Sequence, residues 1–277
     1  VTGVRAGGAA GGPRWTRRRR AVQALFAALY LVLPFLGAER LAGTMVALRV
    51  GPVDLVEPAS AASAWLAGGA AAGVLLAGVV PVALLAALLG PVYCSWACPY
   101  GLLSEGIDRL RSGRARWPDR SWERVRLPRL LSLSALLGGS LLLGAPLAAI
   151  LAPPRLATAL PLEAVSARVV PVVTGALLLA ALALEALGPR RILCRALCPA
   201  GGLAAWLRLP FAWRPRFDEA RCLCPDVARC HQHCPWGIDP RRMRRADGCT
   251  SCMACVDGCP SGALLALRRG PARHRGG

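Results

Sequence analysis

The chemistry in this chain is carried by its cysteines, of which there are 12 in 277 residues. "CTSCMACVDGCP" sets Cys249, Cys252, Cys255 and Cys259 in C-x2-C-x2-C-x3-C-P order. That spacing lets three thiolates wrap one iron–sulfur cube from a tight loop, while the fourth, placed before a proline, turns toward a second. Zinc needs only four ligands in paired knuckles, so it does not explain the run. Disulfides suit scattered cysteines in a secreted domain, whereas these are clustered as metal ligands are.

A partner run lies upstream. "CLCPDVARCHQHCP" supplies Cys222, Cys224, Cys230 and Cys234. Together the two runs resemble a bacterial two-cluster ferredoxin. The ideal spacing would want ligands at 224, 227 and 230, but position 227 is Val227. Either Cys222 or Cys224 takes the missing place in a 4Fe–4S cluster, or Cys222 and Cys230 hold a 3Fe–4S cluster, as in the seven-iron ferredoxins, and Cys224 is spare. The resemblance implies one cluster on Cys234, Cys249, Cys252 and Cys255. It implies another on Cys230, Cys259 and one or both of Cys222 and Cys224. His231 and His233 sit inside the odd run as candidate donors to sulfur, or as plain loop residues.

Four more cysteines form two further pairs. "YCSWACPYG" holds Cys94 and Cys98, and "LCRALCPAG" holds Cys194 and Cys198. Residues at i and i+4 share a helix face, so each pair can act together. Three readings stand: a shared third cluster, redox dithiols or a thiophilic-metal site, and a structural role. Glu185, an acid inside an apolar run, is a candidate proton acceptor or a snorkelled partner of Arg190 or Arg191. Tyr93 and Trp96 either flank a quinone ring or belong to an interfacial aromatic belt.

The elements that must position these residues are largely apolar. The chain is 55% hydrophobic, with a mean hydropathy of +0.45. Apolar runs at about 21–38, 64–90 (with Pro81 as a kink), 130–152 and 169–188 read as four membrane spans. The first run follows a basic stretch, as a signal peptide would, but its length favours a span. The net charge of +19 comes from arginine alone. Six arginines lie in the N-terminal tail, eight in 91–129 and sixteen from 189 onward, against four in the two opposite loops. This sorting places both termini, the middle loop and all twelve cysteines in the cytoplasm, and explains the basic excess without nucleic acid.

An internal repeat is visible. Residues 21–105 and 130–204 each read helix, loop, helix, Gly-Pro, C-x3-C-P. Residues 205–217 read as an interfacial connector with wet arginines and Trp206, Phe211 and Trp213 at headgroup level. The expected organisation is a basic tail (1–20), a four-helix membrane domain (21–217), a two-cluster ferredoxin domain (218–267) and a second basic tail (268–277). The fold class is thus an all-α membrane bundle, a duplicated helical hairpin, plus a small α+β ferredoxin domain. Bis-histidine haem is excluded by the placement of the only histidines, His231, His233 and His274. No C-x-x-C-H haem motif occurs, and no strand-linked dinucleotide fingerprint.

Four spans, paired C-x3-C-P motifs and a C-terminal two-cluster ferredoxin resemble the NapH/MauN-type membrane polyferredoxins, whose core is shared with NosR-like and CcoG proteins. Cys94, Cys98, Cys194 and Cys198 match the paired motifs. The resemblance implies an inner-membrane, multi-pass protein that takes electrons from menaquinol or another quinol. It would pass them through iron–sulfur clusters to a ferredoxin-like or cytochrome partner. Two other roles belong to the same resemblance: copper reduction and assembly in the manner of CcoG, and a membrane-tethered ferredoxin. The expected contacts are lipid, quinol and a partner protein, with no nucleic acid.

Overall fold

The computed structural model of the chain describes residues 14–36, 41–69, 72–110, 121–166, 171–224, 229–243 and 247–266. Val227, the first thirteen residues and the basic stretch 268–277 lie outside the described residues. What is described is mostly helical.

The first helix, α1 (Arg14–Val32), begins within the segment expected to be a tail. Its start is fixed from outside: the Asp257 carboxylate accepts from the Trp15 and Thr16 amides (3.2 and 2.8 Å) and from the Thr16 hydroxyl (2.7 Å). A carboxylate on these orphan amides, near the positive end of the helix dipole, does the work of an N-cap. One turn on, Arg19 is buried in an ion pair with Glu105 at 2.7 Å. Asp257→Ala should cost about 1 kcal/mol and speed amide hydrogen exchange in the first turn of α1.

The expected external loop at 39–63 is ordered. It forms an antiparallel meander of β1 (Leu41–Thr44), β2 (Ala47–Val50) and β3 (Val53–Val56), then α2 (Pro58–Leu66). The β2–β3 turn uses Gly51 at φ +60°, a value glycine adopts freely. Glu57 starts α2 by accepting from the Ala59 and Ser60 amides.

Next come α3 (Ala72–Leu89), with Pro81 inside it, and α4 (Tyr93–Trp96), α5 (Pro99–Leu110), α6 (Ser121–Leu143) and α7 (Leu147–Ile150). The third apolar helix starts nine residues before its expected boundary of 130 and ends before Gly144, at φ +61°. The loop expected at 153–168 is instead α8 (Pro153–Ser166), followed by α9 (Val172–Leu187). A π-helical turn (Leu193–Leu197) then leads into α10 (Pro199–Leu207). Among the described residues, one helix is both long and apolar enough to cross a membrane, over Arg126–Leu143. The apolar stretches Ala77–Leu89 and Val172–Leu187 are shorter.

The last part holds α11 (Arg229–His233) and α12 (Ala254–Asp257). A two-stranded sheet closes it: β4 (Arg216–Phe217) pairs with β5 (Leu264–Leu265). The connector before it is not interfacial throughout. Trp206 and Phe211 are exposed, but Trp213 packs against Trp15 and Trp96, with ring centroids 6.2 and 5.7 Å away. Arg208, expected to stay wet, is 2% exposed.

Candidate functional site

The two C-x3-C-P motifs are built alike. Cys98 immediately precedes α5 and Cys198 is the N-cap of α10, with a proline at the first helical position of each. Proline there sacrifices no helical bond, because its missing N–H would be an orphan anyway. The Cys198 sulfur closes no regular capping hydrogen bond. Even so, the amides of Ala200 and Gly201 lie near it, as those of Tyr100 and Gly101 lie near Cys98.

The motifs are brought together by a ladder between α5 and α9. The Tyr100 hydroxyl donates to the Ala181 carbonyl (3.3 Å), and the Ser104 hydroxyl donates to Glu185 (2.8 Å). Both partners are spaced i and i+4, so one face of each helix meets the other. A Cβ placed on Gly201 would stand 3.5 Å from the Cys94 sulfur and 3.9 Å from the Cys198 sulfur. Cys98 and Cys194 pack in one apolar cluster with Tyr100, Leu156, Leu178 and Leu193. Burial pushes the Cys98 thiol up to about 11 and the Cys198 thiol up to about 12. Burial and neighbouring thiols push Cys94 well above the ordinary range, and burial, Glu185 and neighbouring thiols do the same to Cys194.

Glu185 is fully buried, 0% exposed, and accepts from Ser104 and from the Leu193 amide at 3.2 Å. Arg190 and Arg191, considered as its partners, instead pair with Asp108 at 3.4 and 3.2 Å. Tyr93 places its hydroxyl beside the Cys94 sulfur. Trp96 turns away, donating its indole N–H to the Ser251 carbonyl at 3.0 Å.

In the last domain the cysteines divide into two groups. Cys252 packs with Cys234, Cys249, Trp236 and Ile238. Cys255 adjoins this group electrostatically, through Cys252, Cys234 and Cys249. The Ile238 amide donates to the Cys234 sulfur at 3.4 Å, the kind of bond a cluster thiolate accepts. The second group joins Cys230, Cys259 and Cys222 around Ala263 and Leu264. Cys255 touches this group as well. Burial alone would raise the Cys259 thiol, but Ser261 and the amides of Leu264 and Ala263 outweigh it and bring it below the usual range. Among the described residues, that cluster includes Cys222 and does not include Cys224. Cys224→Ala should therefore keep full iron, whereas Cys222→Ala should lose the second group's iron, as read by iron per chain. His233 is exposed and packs over Gly258, while His231 is half-buried.

The x3 residues of both motifs hold the last domain. Ser95 and Thr250 share a hydrogen bond between hydroxyls, and Arg195 donates to the Trp236 carbonyl. Cys194 itself also packs against the Cys234, Cys249 and Cys252 group. Around this junction five arginines are buried: Arg19, Arg129, Arg191, Arg195 and Arg208. Arg129 donates to the Arg195 carbonyl (2.5 Å) and its charge acts on Cys198 and Cys94; Arg191 stacks on the Trp236 ring at 5.1 Å. In the sequence Arg191 stood out only as a candidate partner of Glu185, and the other four only as topology markers or wet connector residues. Their only signal was position, since Arg191 and Arg195 flank Cys194.

Comparison with known proteins agrees with this chemistry. The family described as a 4Fe-4S binding domain matches residues 71–118 and again residues 170–217. The putative electron transport protein YccM of Escherichia coli (strain K12) is 30% identical over 212 residues, 71% of this chain and 55% of that protein. The methylamine utilization ferredoxin-type protein MauN of Methylorubrum extorquens is 28% identical over 145 residues, 52% of this chain and 50% of that protein. A ferredoxin of Methanothermococcus thermolithotrophicus is 36% identical over 52 residues, 17% of this chain and 87% of that protein. The chain spans about half the length of the first two. No solved structure matches.

The helical scaffold, the clustered thiols and these likenesses define an iron–sulfur protein of the ferredoxin type. Within that class, the chain belongs to the NapH/MauN-type polyferredoxins.

Proposed function

We propose that the chain is the membrane-integral subunit of a quinol-oxidising system, relaying electrons from menaquinol or another quinol to a partner reductase chain. The observation that carries this reading is the junction. Residues inside both C-x3-C-P motifs grip the cysteine loops of the ferredoxin domain, through Ser95 on Thr250 and Arg195 on Trp236. A redox domain merely tethered to lipid would need no such contacts.

Membrane embedding is supported by apolar side chains left exposed on four helices. Leu25 and Leu31 on α1, Leu84 and Leu85 on α3, Leu141 and Leu142 on α6, and Val173 and Leu179 on α9 are all more than half exposed. Such surface is costly in water and expected in lipid. Four spans in an inner membrane, with both termini and the ferredoxin domain cytoplasmic, fit the arginine sorting.

The residues fit iron–sulfur clusters: amides face the sulfurs of Cys98, Cys198 and Cys234, and the thiols fall in groups. When bound, clusters accept and donate single electrons. The chain's own groups hold, insulate and move the proton. Oxidising a quinol releases two electrons and two protons. Glu185, held by the Ser104 hydroxyl and the Leu193 amide, is placed to take one proton at its carboxylate. Arg191 and Arg195 supply positive charge where electrons pass toward Cys234 and Cys252.

The test is anaerobic purification, addition of menaquinol, and EPR of the clusters. Cluster reduction is expected; none, with or without the partner chain, would overturn the reading. Glu185→Gln should keep full iron while slowing quinol-driven reduction about 100-fold.

A further inference from the structure

We infer that the two C-x3-C-P motifs together form one four-thiolate site for a third iron–sulfur cluster, with Cys194 turned toward the ferredoxin group of Cys234, Cys249 and Cys252. The inference rests on the iron–sulfur reading above and not on quinol as donor.

The first observation is convergence. The motifs lie about a hundred residues apart, yet the Cys94 sulfur stands over the first turn of α10, beside Gly201 and Cys198. Cys98 and Cys194 meet in the same apolar cluster. Each motif thus contributes one sulfur to each cross-motif pair. Neither motif alone offers the four thiolates that a cube requires. The family described as a 4Fe-4S binding domain matches each segment separately, with only two cysteines in each.

The second observation is what surrounds the sulfurs. The amides of Tyr100 and Gly101 lie near Cys98 and those of Ala200 and Gly201 near Cys198, much as the Ile238 amide donates to Cys234. Cluster thiolates accept such bonds.

The third observation is charge. A cube on four thiolates is anionic. Arg129 and Arg191 are buried, and their charges act on these sulfurs: Arg129 on Cys94 and Cys198, Arg191 on Cys194 and Cys252. Arg129 comes from α6 and Arg191 from the turn that precedes the second motif. Loading a preformed cluster needs no oxidant: each thiol loses its proton to solvent as its Fe–S bond forms.

The position also sets a path. Cys194 belongs to the packing of both regions. An electron leaving the motif site therefore enters the ferredoxin domain at the Cys234, Cys249 and Cys252 group before reaching Cys222, Cys230 and Cys259.

The test is iron and acid-labile sulfide per chain after anaerobic reconstitution of the full chain, with Mössbauer spectra. About eleven or twelve iron atoms are expected, against about seven or eight if only the ferredoxin domain is loaded. Cys94→Ala and Cys198→Ala should each lose about four, and the double variant should lose no more than either single one. Seven or eight iron atoms in the unaltered chain would overturn the inference. So would full iron in both single variants, or losses that add in the double variant. The wild-type count stands even if a variant fails to fold. Because quinol is absent from the assay, three clusters that quinol does not reduce would sink the quinol reading and leave this one intact.

Discussion

Arg208→Ala should release the ferredoxin domain from the helical bundle. Arg208 leaves the end of α10 fully buried and donates to the Cys249 carbonyl (2.8 Å), the Trp213 carbonyl (2.5 Å) and the Ser251 hydroxyl (3.1 Å). All three acceptors lie in the connector or in the loop that carries Cys249 and Cys252. Truncation strands the Cys249 carbonyl, worth about 1–3 kcal/mol, while the Trp213 carbonyl keeps its bond from the Ser251 hydroxyl at 2.6 Å, so a loss of about 2 kcal/mol is expected. A planar guanidinium reaches several acceptors at fixed angles, and an ammonium does not. Arg208→Lys should therefore recover only part of the loss. Limited proteolysis should cut the connector at 205–217 faster, and the 249–255 cysteines should lose iron first. Unchanged cleavage and iron in Arg208→Ala would show that the junction is held elsewhere, by Ser95, Trp96 and Arg195.

Equivalent glycines of the two motifs should respond unequally to alanine. A Cβ on Gly101 would stand 2.5 Å from the Cys94 carbonyl oxygen, a backbone atom that cannot move alone. Gly101→Ala should force α5 away from Cys94 at a cost of about 1–3 kcal/mol, with loss of iron at the motif site. On Gly201 the nearest atoms are at 3.5 Å, ordinary contact. Alanine also gains about 1 kcal/mol of helix propensity over glycine. Gly201→Ala should therefore leave the melting temperature of the metal-free chain unchanged or higher. Its methyl group points between the Cys94 and Cys198 sulfurs, so motif-site iron should still fall. Thermal melts and iron content of the two variants decide it; identical behaviour would remove the argument.

The cysteine chemistry was legible because ligand spacing is local. Cys249 to Cys259 define a loop within eleven residues, and the structure groups Cys252 with Cys234 and Cys249, and Cys230 with Cys259. The choice between Cys222 and Cys224 was not legible: Cys224 holds an ideal position, but Val227 leaves the next one without a ligand and Cys222 is the extra cysteine; in the structure Cys222 packs against the group of Ala263 and Leu264. The helical repeat was visible in apolar periodicity and in the recurring Gly-Pro and C-x3-C-P. The meander at 41–56 was hidden by prolines and glycines, which punctuate hairpins as readily as loops. The start of α1 was hidden for another reason: its cap, Asp257, lies more than two hundred residues away. Arginine misled most. Its count fits a membrane topology rule, and a buried Arg195 looks no different in sequence from a wet one.

The repeated unit has an ancestral consequence. A chain with one C-x3-C-P motif has two thiols and half a binding place, so it would function only by meeting a copy of itself about a two-fold axis. Joining two units in one chain turns that encounter into a tethered one at high effective concentration. It also removes the demand that both halves be identical. The divergence is on view: Gly90 has φ +71° where Gly188 is extended, and Trp96 and Arg195 use different chemistry to grip the same domain. A symmetric dimer could not have specialised one half toward the ferredoxin domain's Ser251 and the other toward its Trp236.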